Sequence, residues 1–188
     1  MEGEKIYNLM KELWPYCRSI TGHGVRQSLN IIKNKINDLK IIEVPSGTKC
    51  FDWKIPKEWN ITDAYVIDPD GNKIIDFKES NLHVVNYSSC INREMDLEEL
   101  NQHLYSLPEQ PNAIPYVTSY YKDSWGFCIQ DNKRKKLRKG KYKVMINSTL
   151  ENGFLTYGEL LIKGQSKKEI FISTYICHPS MANNELSG

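Results

Sequence analysis

This sequence predicts an α/β protein with a smaller β-rich unit in its middle, and three observations predict it. Apolar residues recur at helical spacing through the first 40 positions. From Ile41 to about Trp125 the pattern changes to short strands separated by turn residues. Beyond Trp125 a helix and strands follow one another, and the last strand is apolar on both faces. The expected division is therefore 1–40 helical, 41–125 β-rich and 126–188 α/β.

Composition narrows the function classes. The 188 residues suffice for one large domain or two small ones. With 40% hydrophobic and 26% charged residues, the chain is of the globular type. A net charge of +2 is too small to imply a nucleic-acid or membrane partner. The start, Met-Glu-Gly-Glu-Lys, lacks the basic-then-apolar order of a signal peptide, and no apolar run has the length of a membrane span. The chain reads as cytoplasmic. Its five cysteines are odd in number and form no Cys-x-x-Cys pair, so reduced, mostly buried thiols are expected.

In chain order, Ile6, Met10, Leu13 and Trp14 mark the inward side of a short first helix, broken off by Pro15 and the Thr21–Gly24 cluster. Val25, Leu29, Ile32, Ile36 and Leu39 then share one face of a second helix. Strands over 64–67 and 73–77 flank Asp68-Pro69-Asp70-Gly71, a turn in which Pro suits the second position and Gly can take a positive φ. A further strand is expected over 82–87. Asp96, with Glu99 three residues on, signals a capped helix whose apolar side is Leu97, Leu100 and Leu104. The region is rich in Trp and Tyr, among them Trp53, Trp59, Tyr65, Tyr87, Tyr105, Tyr116, Tyr120, Tyr121 and Trp125. Such rings either line a substrate groove or, more commonly, pack a small β core.

Residues 131–137 suggest a basic helix closed by Gly140. The run Lys133–Lys139 reads as a solvated helix face rather than a nucleic-acid patch, because no recognition motif accompanies it. Strands follow over 142–147, 154–162 and 169–177. The last reads Ile170-Phe171-Ile172-Ser173-Thr174-Tyr175-Ile176-Cys177, the composition of a strand buried on both faces. It ends at His178, and six positions later stands Asn184. Ligands in open α/β sheets bind beyond the carboxyl ends of strands. There a neutral imidazole is a good zinc ligand, although a lone histidine is more often structural.

The stretch from Thr174 to Gly188 resembles the first metal motif of the aminopeptidase-like zinc exopeptidases: an apolar strand ending in His, a short loop, then Asn/Gly-Asp-x-x-Ser-Gly. The likeness runs along the chain through Arg18-Ser19-Ile20-Thr21-Gly22, Val44-Pro45-Ser46-Gly47, Phe51-Asp52-Trp53, Pro56-Lys57-Glu58-Trp59, Asn81-Leu82-His83, Ile114-Pro115-Tyr116, Tyr120-Tyr121 and Trp125-Gly126-Phe127-Cys128. These segments resemble a bacterial subfamily with an inserted domain of unknown function, some of whose members are connected with polysaccharide biosynthesis. The resemblance implies a zinc-exopeptidase α/β sheet that begins at the N-terminal helix, is interrupted by the β-rich insert and resumes near Trp125.

It also implies zinc as cofactor, a peptide substrate, His178 as a ligand of the first zinc, and Asn184 at the position of the metal-bridging aspartate. An Asn amide offers one neutral oxygen where a carboxylate offers two anionic ones. The family's general-base glutamate and remaining ligands lie beyond the Ser-Gly where this sequence stops. The resemblance therefore implies a zinc metallohydrolase whose 1–188 portion is inactive alone. With the last strand's apolar surface and edge left open, that portion is expected to be marginally stable or to self-associate through exposed core. No catalytic residue is assigned. The other reading is a non-catalytic peptide- or glycan-binding module, or a truncated fragment.

Overall fold

The computed structural model describes residues 2–180. The chain packs as two compact units, Met1–Glu58 with Glu151–Gly188, and Trp59–Leu150. These boundaries differ from the 40/41 and 125/126 divisions expected, and strand pairing is the reason. Strand β1 (Lys40–Pro45) is antiparallel to β10 (Phe154–Glu159), with Lys40 opposite Glu159 and Pro45 opposite Phe154. That ladder keeps residues 40–58 with the first unit. Strand β9 (Lys141–Glu151) runs in the sheet of the second.

In the first unit, helix α1 (Glu2–Leu13) docks by its last turn only. Leu13 is buried and Met10 half-buried, but Ile6 and Trp14 are exposed, contrary to the inward face expected of them. Helix α2 (His23–Lys33) packs on β1 and β10 through Val25 and Leu29. It ends six residues earlier than its apolar stripe suggests. Asn34 caps it, Ile36 is exposed, and Leu39 lies outside the helix against Gly158. Strands β2 (Lys49–Cys50) and β3 (Trp53–Lys54) form a short antiparallel pair.

The second unit is built on a four-stranded sheet in the order β5 (Lys73–Asp76), β4 (Glu58–Ile67), β9, β6 (Ile91–Asp96). Strand β4 (Glu58–Ile67) and β5 (Lys73–Asp76) make the expected hairpin, with a bulge at Val66/Ile67. Its turn closes by Gly71 N–H donating to the Asp68 carbonyl at 3.0 Å, with Gly71 at φ 86. Strand β6 (Ile91–Asp96) is antiparallel to β9. Alternate residues Tyr142, Val144 and Ile146 of β9 point inward beside Ala64, Val66 and Ile75, as the two-residue period of a strand requires. Helix α3 (Leu97–Asn101) adds Leu100 to this core. Strands β7 (Leu104–Tyr105) and β8 (Phe127–Cys128) pair in parallel.

Several local expectations fail for identifiable reasons. Residues 82–87 form no ladder strand: Asn81–His83 is a 3-10 turn, followed by single bridges at Val84 and Asn86. Asp96 precedes α3 but its side chain makes no cap bond; it pairs with Lys141, and Glu99 pairs with Arg93. Cations nearby have taken both carboxylates. The basic helix α4 spans only Asp131–Arg134, and Gly140 lies beyond it, packed where a Cβ would meet the Pro69 ring at 2.4 Å. Strand β10 stops at Glu159, so Leu160–Ile162 are outside it.

The largest departure is the segment expected as a doubly buried strand over 169–177. It has no strand pairing among the described residues, and Ile170, Phe171 and Ile172 are 91%, 91% and 85% exposed. A doubly covered strand needs a partner strand and a layer on each face, and no described residues supply them here. The five thiols are free as expected, but Cys50 and Cys90 are exposed and only Cys128 is fully buried.

Candidate functional site

His178 lies where this extended segment turns back onto the N-terminal residues, and it is half-buried. The fully buried Arg18 reaches it: Nε donates to the His178 carbonyl at 2.8 Å, and Nη1 donates to the Leu13 carbonyl. Ser180 Oγ donates to the Trp14 carbonyl. The Tyr175 ring meets the imidazole edge-on at 5.2 Å, and Cys177 Sγ lies 4.0 Å from Nδ1.

The seat for this loop is built by the Arg18–Gly22 segment. Ser19 and Thr21 are buried, and Gly22 has φ 99. A Cβ at Gly24 would lie 2.0 Å from the Cys17 carbonyl oxygen, so only glycine lets the start of α2 approach this closely. Partial burial, and then the Arg18 charge, hold the His178 imidazole below its usual pKa. At neutral pH it is therefore the uncharged ring that a metal requires.

His178 suits the role of one donor. Among the described residues no group of three His, Cys, Asp or Glu side chains converges. Asn184, the other expected ligand, lies outside the described residues. The remaining histidines have other surroundings. His23 is exposed at the start of α2. His83 Nδ1 bonds the Cys128 carbonyl at 2.7 Å, and His103 Nδ1 bonds the Trp125 carbonyl at 3.0 Å while its ring stacks on that indole.

The aromatic residues of the second unit mostly pack. Trp59 and Tyr87 are buried and stacked 5.8 Å apart, with Trp59 Nε1 donating to the Ser88 carbonyl at 2.9 Å. Tyr87 has φ 69, a rare conformation for a bulky residue, and the Tyr120 ring meets it edge-on. Tyr116 and Tyr120 join hydroxyls at 2.8 Å, whereas Tyr121 is 78% exposed. The basic run is partly paired: Lys135 with Asp131, Arg138 with Asp70, and Arg134 with Asn101 and Ser106.

Sequence reasoning singled out His178 but gave Arg18 no part in the site. A buried arginine has no sequence signature of its own. Its place between a helix break and the Ser-Ile-Thr-Gly segment was the available clue.

Residues 58–149 match the family described as "Domain of unknown function (DUF2172)", a range that nearly coincides with the second compact unit. A protein of Clostridium acetobutylicum named "Putative polysaccharide biosynthesis protein with aminopeptidase-like domain" is 54% identical over 186 residues, 99% of this chain and 43% of that protein. A crystal structure from the same organism, named as a "putative peptidase", superposes with a TM-score of 0.95 at 54% identity. It covers 99% of this chain and 44% of the other. The chain thus spans less than half the length of the relatives it resembles. Among the described residues, no helix is long and apolar enough to cross a membrane.

Proposed function

We propose that this chain carries the first metal motif of a zinc-dependent, aminopeptidase-type hydrolase acting on peptides, within a sheet fold interrupted by the DUF2172-like unit. The observation that carries the reading is His178: an imidazole held neutral, on a backbone seated by a buried arginine, at the head of the segment leading to Asn184. The names of the similar proteins support its peptidase-like part. Zinc in such a site would supply Lewis-acid polarisation of the scissile carbonyl and a nucleophile at neutral pH. His178 would be one ligand and Asn184 a weak second.

A zinc centre ordinarily takes three or four protein ligands, so 1–188 alone is expected to hold the ion weakly and to cleave nothing. The test is zinc stoichiometry of the purified chain against His178→Ala, together with release of an aminoacyl chromophore by the full-length relative with and without chelator. Equal zinc in chain and variant, with chelator-insensitive release by the relative, would sink the reading.

A second reading has its own support. Asn184 in place of the bridging carboxylate, and the relative's name linking it to polysaccharide biosynthesis, favour a non-catalytic module binding peptides or glycans. Its mark would be ligand binding that survives chelation.

A further inference from the structure

We infer that Arg18 is a positioning residue for the His178 site, holding the backbone of the metal motif onto the turn that follows the first helix. This rests on the zinc reading above for what the loop does, but not for how the loop is held. The segment before His178 has no ladder to fix it among the described residues, so residues 177–180 must take their position from elsewhere. Side-chain links to the N-terminal residues contribute to it. One is the Arg18 fork, spanning the carbonyls of His178 and Leu13; another is Ser180 Oγ on the Trp14 carbonyl.

A guanidinium is planar with donors in fixed directions. Bonding through Nε and Nη1 to two separate stretches of chain sets the peptide plane after His178, and with it the direction in which the imidazole leaves the backbone. The seat cannot easily yield, because Gly24 is packed against the Cys17 carbonyl directly beside it. Burying a guanidinium is costly unless its donors are used. A residue there only to fill space would more cheaply be Leu or Met. The bland alternative is that Arg18 merely caps the end of α1 at Leu13. That alternative predicts no consequence at residues 177–180.

The experiment compares the full chain with Arg18→Lys, Arg18→Ala, Ser180→Ala and His178→Ala. N-ethylmaleimide modification of Cys177, read by peptide mass, reports release of the loop. Cys128, buried in the other unit, serves as the internal control for unfolding. Affinity for zinc ion is measured in parallel. In Arg18→Lys, Cys177 is expected to react several-fold faster while Cys128 stays protected. Zinc is expected to bind about 10-fold more weakly, as when an outer-shell partner of a ligand is lost. Arg18→Ala should go further in both, and Ser180→Ala less far.

Unchanged Cys177 reactivity in both Arg18 variants would overturn the inference. So would a freed Cys177 with unchanged zinc affinity. If Cys177 is freed but even the parent chain holds no more zinc than His178→Ala, the metal reading falls and Arg18 remains only a loop anchor.

Discussion

Arg26 and Glu58 form a two-point ion pair within the first unit, Nη1 donating to Oε2 at 3.0 Å and Nη2 to Oε1. Oε2 also accepts from the Phe154 amide at 3.0 Å. The pair therefore joins α2, the first residue of β4 and the turn into β10. Their side chains are 21% and 10% exposed, so solvent screens the pair only modestly. The side-chain bond to Glu58, set against partial burial, holds the Arg26 pKa above its usual value.

Glu58→Ala should destabilise the first unit by about 3 kcal/mol, the low end for orphaning one member of a buried pair. The double variant Arg26→Met, Glu58→Leu should cost less than the single one. Denaturant midpoints across the four-member cycle measure this. Additive costs would mean the two side chains act independently.

Gly71 separates strain from crowding. It has φ 86, and a Cβ built there meets nothing within 4 Å. Gly71→Ala should therefore cost about 1 kcal/mol through conformation alone. Asp68→Ala should add its own loss, because Asp68 Oδ1 accepts from the Asp70 and Asn72 amides at 2.9 and 2.8 Å. Thermal melts of both variants check this. A neutral Gly71→Ala would mean that another turn closes the β4–β5 hairpin.

His83 makes the second unit acid-sensitive. Burial is the main cause holding its pKa below 6.5, and Nδ1–H donates to the Cys128 carbonyl. Protons then bind the unfolded chain more readily than the folded one. Above about pH 6.5 both states are neutral and His83 adds no pH dependence. As pH falls below that value toward the depressed folded pKa, stability declines. His83→Asn keeps a donor for the carbonyl and removes the titration. Its unfolding free energy should fall less than the parent's between neutral and mildly acidic pH. Parallel declines would rule His83 out as the source.

The run Ile170-Phe171-Ile172 is exposed and apolar, Leu161 and Ile162 are exposed as well, and neither stretch has strand pairing among the described residues. Such segments drive association between chains. We expect isolated 1–188 to self-associate with rising concentration in sedimentation velocity, and Phe171→Lys with Ile172→Lys to shift it toward monomer. A concentration-independent monomer would refute this.

What could be read from the residues was whatever local chemistry decides. Asp68-Pro69-Asp70-Gly71 is a turn in any surroundings, because Pro and Gly set their own dihedrals. The β-prone residues over 142–147 were legible as a strand, and the structure has both the turn and this strand, the latter as part of Lys141–Glu151. The position of His178 after an apolar run was likewise legible in the residues. Burial and pairing were not, because they belong to neighbours remote in sequence. β1 finds β10 more than a hundred residues away, and that ladder, rather than any change of composition at 40/41, sets the unit boundary. The run over 170–177 has the residues of a core strand, yet among the described residues 170–175 stand in solvent and only Ile176 and Cys177 are half-buried, since hydrophobicity states a demand for cover and cannot supply the cover. Arg18 shows the converse. A charged residue that its type would place at the surface is fully buried, because the carbonyls of Leu13 and His178 converge on it only once the chain has folded.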